Sequence, residues 1–263
     1  MKKFILLGIL AMSSSLFAHH QYLYTDKLDI SGEKEINVKL LFGHPGEGKE
    51  EGGIDVATVD GKTHNAEQAY VIHNGEKKDL LSKVREAKLK TDTNTSRIFE
   101  LNYGIADGLV GKGNWVFVMI PGRSTDMGYG FNGSAKLIVT KDGGGSDWNK
   151  RLAEGQNEII PLVNPVGAWK ENGFVGQVVD KNGNPVAGSR IDASFLNAKV
   201  DSKANIYRGG DHVEKNEINI YTDPNGIFHF IPPFEGKWVM RANMPRKEGV
   251  KEVFDATLLV EFE

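Results

Sequence analysis

Two adjacent histidines, His19 and His20, stand directly behind the stretch FILLGILAMSSSLFA, and a third, His44, follows the apolar run KLLFG. If cleavage after Ala18 makes His19 the first residue, its α-amine and imidazole grip one ion together and His20 adds a second imidazole. That nitrogen-rich set suits Ni²⁺, Co²⁺, Cu²⁺ or Zn²⁺. His44 joins them if QYLYT and EINVKLLF pair antiparallel, because the start of one strand then lies beside the end of the other. His44 keeps the parity of Ile36, Val38, Leu40 and Phe42, which puts it at the rim of a buried face. Glu47 offers an oxygen ligand or an acceptor for an imidazole N–H. His64 is a further candidate ligand. His64 and His73 flank NAEQAYVI, and a strand between them would keep them from sharing one ion. His229 alternates with Phe228 and Phe230 and His212 lies in the polar RGGDHVEK stretch, so both are expected to be structural or solvated.

Other chemistries find little to work with. The chain has no G-x-S-x-G elbow, no H-E-x-x-H helix and no phosphate loop, and Glu50 and Glu51 sit in the charged, glycine-rich GEGKEEGG with no acid/base setting. A non-enzymatic protein is expected. Trp115, Trp148, Trp169 and Trp238 are scattered, as core-filling tryptophans of sandwiches are, although a sugar-stacking set would use the same residue type.

The elements that must hold these residues begin with a leader. Met1, Lys2 and Lys3 precede an apolar run too short to span a bilayer, and small residues end at Ala18, the pattern of a cleaved signal peptide over 1–18. A periplasmic location follows from that reading. Cysteine is absent and the formal net charge is −3, which excludes a disulfide framework and cysteine-based zinc sites and leaves no basic footprint for nucleic acid. No later stretch approaches the roughly 20 apolar residues of a membrane helix.

Hydrophobic periodicity is two, not 3.6. EINVKLLF, NWVFVMIPG, AKLIVT, FVGQVVD, EINIYT and GIFHFIPP are short β-branched or aromatic runs. HNGEKK, KDGGGSD, DKNGNP, TDPNG and PFEGK pair Asn, Asp or Pro with Gly, the turn chemistry of hairpins. DLLSKVREAKL carries helical spacing, while KVREAKLKT alternates like an exposed strand, and both readings stand. The fold class expected is all-β, with two sandwiches. Pro161 and Pro165 suggest a boundary, giving one domain over 19–163 that holds the metal candidates and another over 164–263.

The second half resembles transthyretin-like or carboxypeptidase-regulatory-like sandwiches through GQVVDKNGNPVAG (Gly176 to Gly188) and TDPNGIF (Thr222 to Phe228). Taken with AHHQYLY, LLFGHPGEG and EIIPLVNP, the chain resembles periplasmic proteins of the DUF4198 family, which includes the NikK component of nickel and cobalt uptake systems. That resemblance implies a periplasmic accessory protein that captures Ni²⁺ or Co²⁺ and passes it to a membrane transporter. The His19-His20-Gln21-Tyr22 start departs from the single histidine common in the family. A carbohydrate- or peptide-binding module and a structural docking subunit of a membrane complex are the other readings.

Overall fold

The computed structural model describes residues 20–43, 45, 58–59, 62–63, 66–92, 95–120, 124–126, 129–210, 216–245 and 252–263. These form twenty strands. The first eight are β1 (His20–Tyr24), β2 (Glu35–Gly43), β3 (Thr58–Val59), β4 (Lys62–Thr63), β5 (Gln68–His73), β6 (Glu76–Asp79), β7 (Arg85–Lys90) and β8 (Thr95–Gly104). Then come β9 (Gly113–Ile120), β10 (Ser124–Asp126), β11 (Tyr129–Lys141), β12 (Glu158–Pro161), β13 (Phe174–Val179) and β14 (Arg190–Phe195). The last six are β15 (Ala198–Asp201), β16 (Ile206–Gly209), β17 (Glu217–Tyr221), β18 (Ile227–Phe230), β19 (Gly236–Asn243) and β20 (Glu252–Phe262). Among the described residues the only helical turns are short 3-10 segments, one of them Leu81–Lys83, and no helix is long and apolar enough to cross a membrane. The all-β expectation holds. KVREAKLKT is a strand, β7, preceded by that single helical turn.

Three sheets stack in layers, and β3 pairs with β4 in a separate two-stranded sheet. The outer six-stranded sheet runs β1-β2-β8-β7-β16-β15, the central nine-stranded one runs β17-β14-β19-β20-β11-β9-β5-β6 with β10 beside β11, and a small sheet runs β12-β13-β18. Strand β9 shows why the central layer forms. Its Trp115, Phe117 and Met119 pack with the six-stranded sheet, while Val116, Val118 and Ile120 pack with the small sheet. Every residue of β9 is buried, and from Trp115 to Ile120 its sequence reads as an unbroken apolar run, as a strand covered on both faces must. Each fully buried Val, Ile, Leu or Phe contributes about 1.5–3 kcal/mol, which makes this doubly covered sheet the main source of stability. Strands from both sides of residue 163 share it, because β11 pairs in parallel with β20 from Gly130↔Glu252 to Lys136↔Leu258.

The turn residues act as their types require. Asn74 and Gly75 both have positive φ, 52° and 80°, and close the two-residue hairpin between β5 and β6. In the second half Gly226 has φ 72°, and a Cβ there would sit 2.6 Å from the Val178 carbonyl. The Gly226 carbonyl accepts from Val178 N–H at 2.8 Å, so the TDPNGIF turn locks onto β13. Asp223 caps that turn by accepting from the Asn225 and Ile227 N–H groups. Between the central and small layers, Lys136 and Glu158 form a buried ion pair at 2.7 Å, and the Glu158 carboxylate also accepts from the Leu152 and Ala153 N–H groups.

Candidate functional site

Strand β1 opens at His20 and pairs antiparallel with β2, with His20 opposite Gly43 and Gln21 opposite Phe42. The antiparallel pairing of QYLYT with EINVKLLF, the condition for including His44, is therefore present, and position 44 follows Gly43 directly in the sequence. His19, His44, Glu47 and His64 lie outside the described residues, as does His212. Among the described residues no group of three or more His, Asp or Glu is set to hold a metal.

A buried charged cluster backs this end of β1. The Thr257 hydroxyl donates to the Gln21 carbonyl at 2.6 Å. Across the pair from Thr257 stands Arg241, fully buried, whose Nε and Nη2 both donate to Asp255 Oδ2, at 2.9 and 2.7 Å. Asp192 lies opposite Arg241 on β14 and accepts from Asn243 at 2.7 Å, with Arg190 2.8 Å away. Two guanidinium groups and two carboxylates balance, which is how fixed charge survives in the interior.

The side chains of His73 and His229 are both engaged. His73 Nδ1 donates to the Asn114 carbonyl at 2.8 Å, its Nε2 accepts from Asn74 at 3.0 Å, and its ring stacks on Trp115 at 3.8 Å. No lone pair remains there for a metal. His229 is exposed between buried Phe228 and Phe230, as its parity requires, and its Nε2 donates to the Asn172 carbonyl at 3.3 Å. Trp115 and Trp238 are core residues, whereas Trp169 is 68% exposed.

A second site, which sequence reasoning missed, lies on the other face of the six-stranded sheet. Tyr24, Lys39, Glu100 and Arg85 are successive cross-strand neighbours on β1, β2, β8 and β7. Lys39 is fully buried and donates to Glu100 at 2.8 Å and to Asn205 Oδ1 at 2.6 Å. Arg85 reaches the other Glu100 oxygen at 3.1 Å. Burial alone would push the Glu100 carboxyl up, but Lys39, with help from Asn37 and Arg85, holds it below the usual carboxylate value. The β15–β16 hairpin arches over this row. Its Tyr207 hydroxyl bonds that of Tyr22, and burial pushes the Tyr207 phenol up to about 12. Ser202 donates to Asp26 at 2.7 Å, and Asp26 also accepts from Tyr24 at 3.0 Å. Strand β2 was expected to bury one face, yet Lys39 and Leu41 on the other are buried too, because the row and the hairpin cover them. Between hairpin tip and sheet a polar cleft of about 640 Å³ remains. The signal for it was the polar alternation of Asn37 and Lys39 in β2 and Glu100 and Asn102 in β8, a pattern identical to that of a solvated strand face.

The layered sheets define an all-β, sandwich-like protein. The chain belongs to the DUF4198 family, whose model, described as a domain of unknown function, matches residues 16–246. No curated protein matches it. Among solved structures it is similar to a bacterial ice-binding adhesin at 7% identity and TM-score 0.26, covering 92% of this chain and 64% of that one. A Salmonella alpha-2-macroglobulin mutant matches at 9% identity and TM-score 0.25, covering 93% of this chain and 15% of that one. The periplasmic chaperone SfaE matches at 10% identity and TM-score 0.21, covering 90% and 98%. The chain thus spans less than two thirds of the adhesin, and TM-scores this low define no shared fold.

Proposed function

We propose that the protein is a periplasmic accessory factor that captures Ni²⁺ or Co²⁺ as cargo and hands it to a membrane transporter. The observation that carries this reading is the β1–β2 register, with His20 opposite Gly43. It puts the start of β1, at His20, beside the end of β2, at Gly43, the residue before His44 in the sequence. The resemblance of AHHQYLY, LLFGHPGEG and EIIPLVNP to the nickel and cobalt uptake component NikK supports it, within a family whose model is a domain of unknown function. Imidazole and amine ligands suit these ions, and capture by deprotonated nitrogen releases protons.

Calorimetry with Ni²⁺ tests the reading on the exported chain, whose first residue is fixed by mass spectrometry. A chain that starts at His19 should bind Ni²⁺, and loss of residues 19 and 20 or His44→Ala should weaken binding by roughly 10-fold or more. Binding should fall steeply toward about pH 5.5, as the imidazoles and the amine, with reference values near 6.5 and 7.7–8.0, take up protons. Equal Ni²⁺ affinity with and without residues 19 and 20 would sink the proposal.

A further inference from the structure

The cleft beneath the β15–β16 hairpin owes its character to a chain of forced hydrogen bonds. Lys39 can only donate, so Asn205 must turn its oxygen toward Lys39 and leave its NH₂ group over. The Glu100 carboxylate can only accept, so Asn37 turns its NH₂ toward Glu100, at 3.4 Å, and toward the oxygen of Asn102, at 2.7 Å. That leaves the Asn102 NH₂ group without a partner among the described residues, and it leaves Asn37 Oδ1 a buried acceptor with none. Arg85 is held along one edge by Glu100 but its side chain is 60% exposed, so further N–H groups remain. Donors with capacity to spare therefore border one cleft, among them the Asn102 and Asn205 amides and the Arg85 guanidinium.

The same cleft has spare acceptors. Asp26 uses one oxygen, Oδ1, for both Tyr24 and Ser202, and Glu35 has no ion-pair partner among the described residues. Cationic and anionic side chains both line the opening, so its field selects neither a simple cation nor a simple anion. No aromatic ring is among the described residues that line it, which argues against a ligand held by stacking. Its volume of about 640 Å³ is that of a small-molecule site.

We propose that this cleft binds a small dipolar organic ligand of the amino-acid or short-peptide class. Arg85, Asn102 and Asn205 take the carboxylate, and Asp26 and Glu35 take the amine. The hairpin tip, pinned through Ser202 to Asp26 and through Asn205 to Lys39, forms one wall, so the ligand enters a site that is already shaped. This proposal does not rest on metal capture, because none of its residues belongs to the histidine-bearing end.

The test is calorimetry on the full exported chain in excess chelator, which removes any contribution from bound metal. The probes are the free L-amino acids, diglycine, and their amide and N-acetyl derivatives. At least one free amino acid or diglycine should bind, and blocking either its carboxylate or its amine should abolish the signal. Arg85→Gln should weaken that binding by about 10-fold or more, as loss of a charge-assisted hydrogen bond does. Glu35→Gln, at the other end of the ligand, should weaken it while leaving the melting temperature within about 2 °C. No binding by any free form, equal binding by the blocked forms, or affinity unchanged by both substitutions would overturn the proposal.

Discussion

Lys136–Glu158 and Lys39–Glu100 are both buried lysine–glutamate pairs, with nearly equal separations of 2.7 and 2.8 Å, but their surroundings differ in kind. Glu158 joins two layers, and backbone N–H groups from Leu152 and Ala153 take up its remaining acceptor capacity. Glu100 lies within one layer, is shared between Lys39 and the half-exposed Arg85, and borders the cleft. A pair closed in by backbone donors has nothing left to offer a ligand and serves as a clip. A pair that fixes the orientation of neighbouring amides beside an opening leaves polar groups over, and those groups are what a ligand can use.

Four experiments test this contrast. The largest effect is expected from Glu158→Ala, which strands Lys136 in the interior and should cost about 3–5 kcal/mol in urea unfolding. Replacing both partners by apolar residues of similar size should recover most of that loss, and a single substitution costing under about 1 kcal/mol would show that the clip does not hold the layers. Next comes Glu100→Gln, expected to cost about 1.5–3 kcal/mol near neutral pH, because Lys39 keeps Asn205 but loses its counter-charge. The pH dependence has a definite sign. Glu100 titrates below its unfolded value, so its contribution is complete above that unfolded value, near 4.3, and fades as pH falls through the lower folded one. The stability gap between wild type and Glu100→Gln should therefore narrow on acidification below about pH 4, and a gap that widens there contradicts the assignment.

Smaller still is Arg85→Gln, which removes an exposed partner and should change stability by no more than about 1 kcal/mol, with its main effect on the cleft ligand. A large loss of stability instead would make Arg85 part of the clip class. His229→Ala should be the smallest, within about 0.5 kcal/mol, with Ni²⁺ binding unchanged, since the side chain is exposed and makes one long hydrogen bond to Asn172. A matching loss of Ni²⁺ affinity in His229→Ala and His44→Ala would argue against ligation at the β1 end.

Much of this was written locally in the chain. Asn74-Gly75 and the alternation around His229 were legible because turn chemistry and period-two patterning act over a few residues. KVREAKLKT stayed ambiguous, since an exposed strand rich in Lys, Arg and Glu carries helix-forming residues, and only its pairing with β8 decides the matter. The union of β11 with β20 has no local signature at all, because parallel neighbours need no turn between them. The cleft was hidden for a different reason. Asn37, Lys39, Glu100 and Asn102 look like a face turned to water, and what buries Lys39 is a hairpin more than a hundred residues further along the chain.

Strand β20 also sets the order in which the molecule can be assembled. It lies between β19 and β11, so without it the central sheet is two unconnected pieces, each ending in a long, unpaired edge. Residues 252–262 must therefore be available before either piece can close, and until then both edges are templates for pairing with other chains. Folding governed by such distant contacts is slow compared with that of a fold built from neighbouring hairpins. A protein arranged this way has to be kept apart from its own kind while the chain is still arriving.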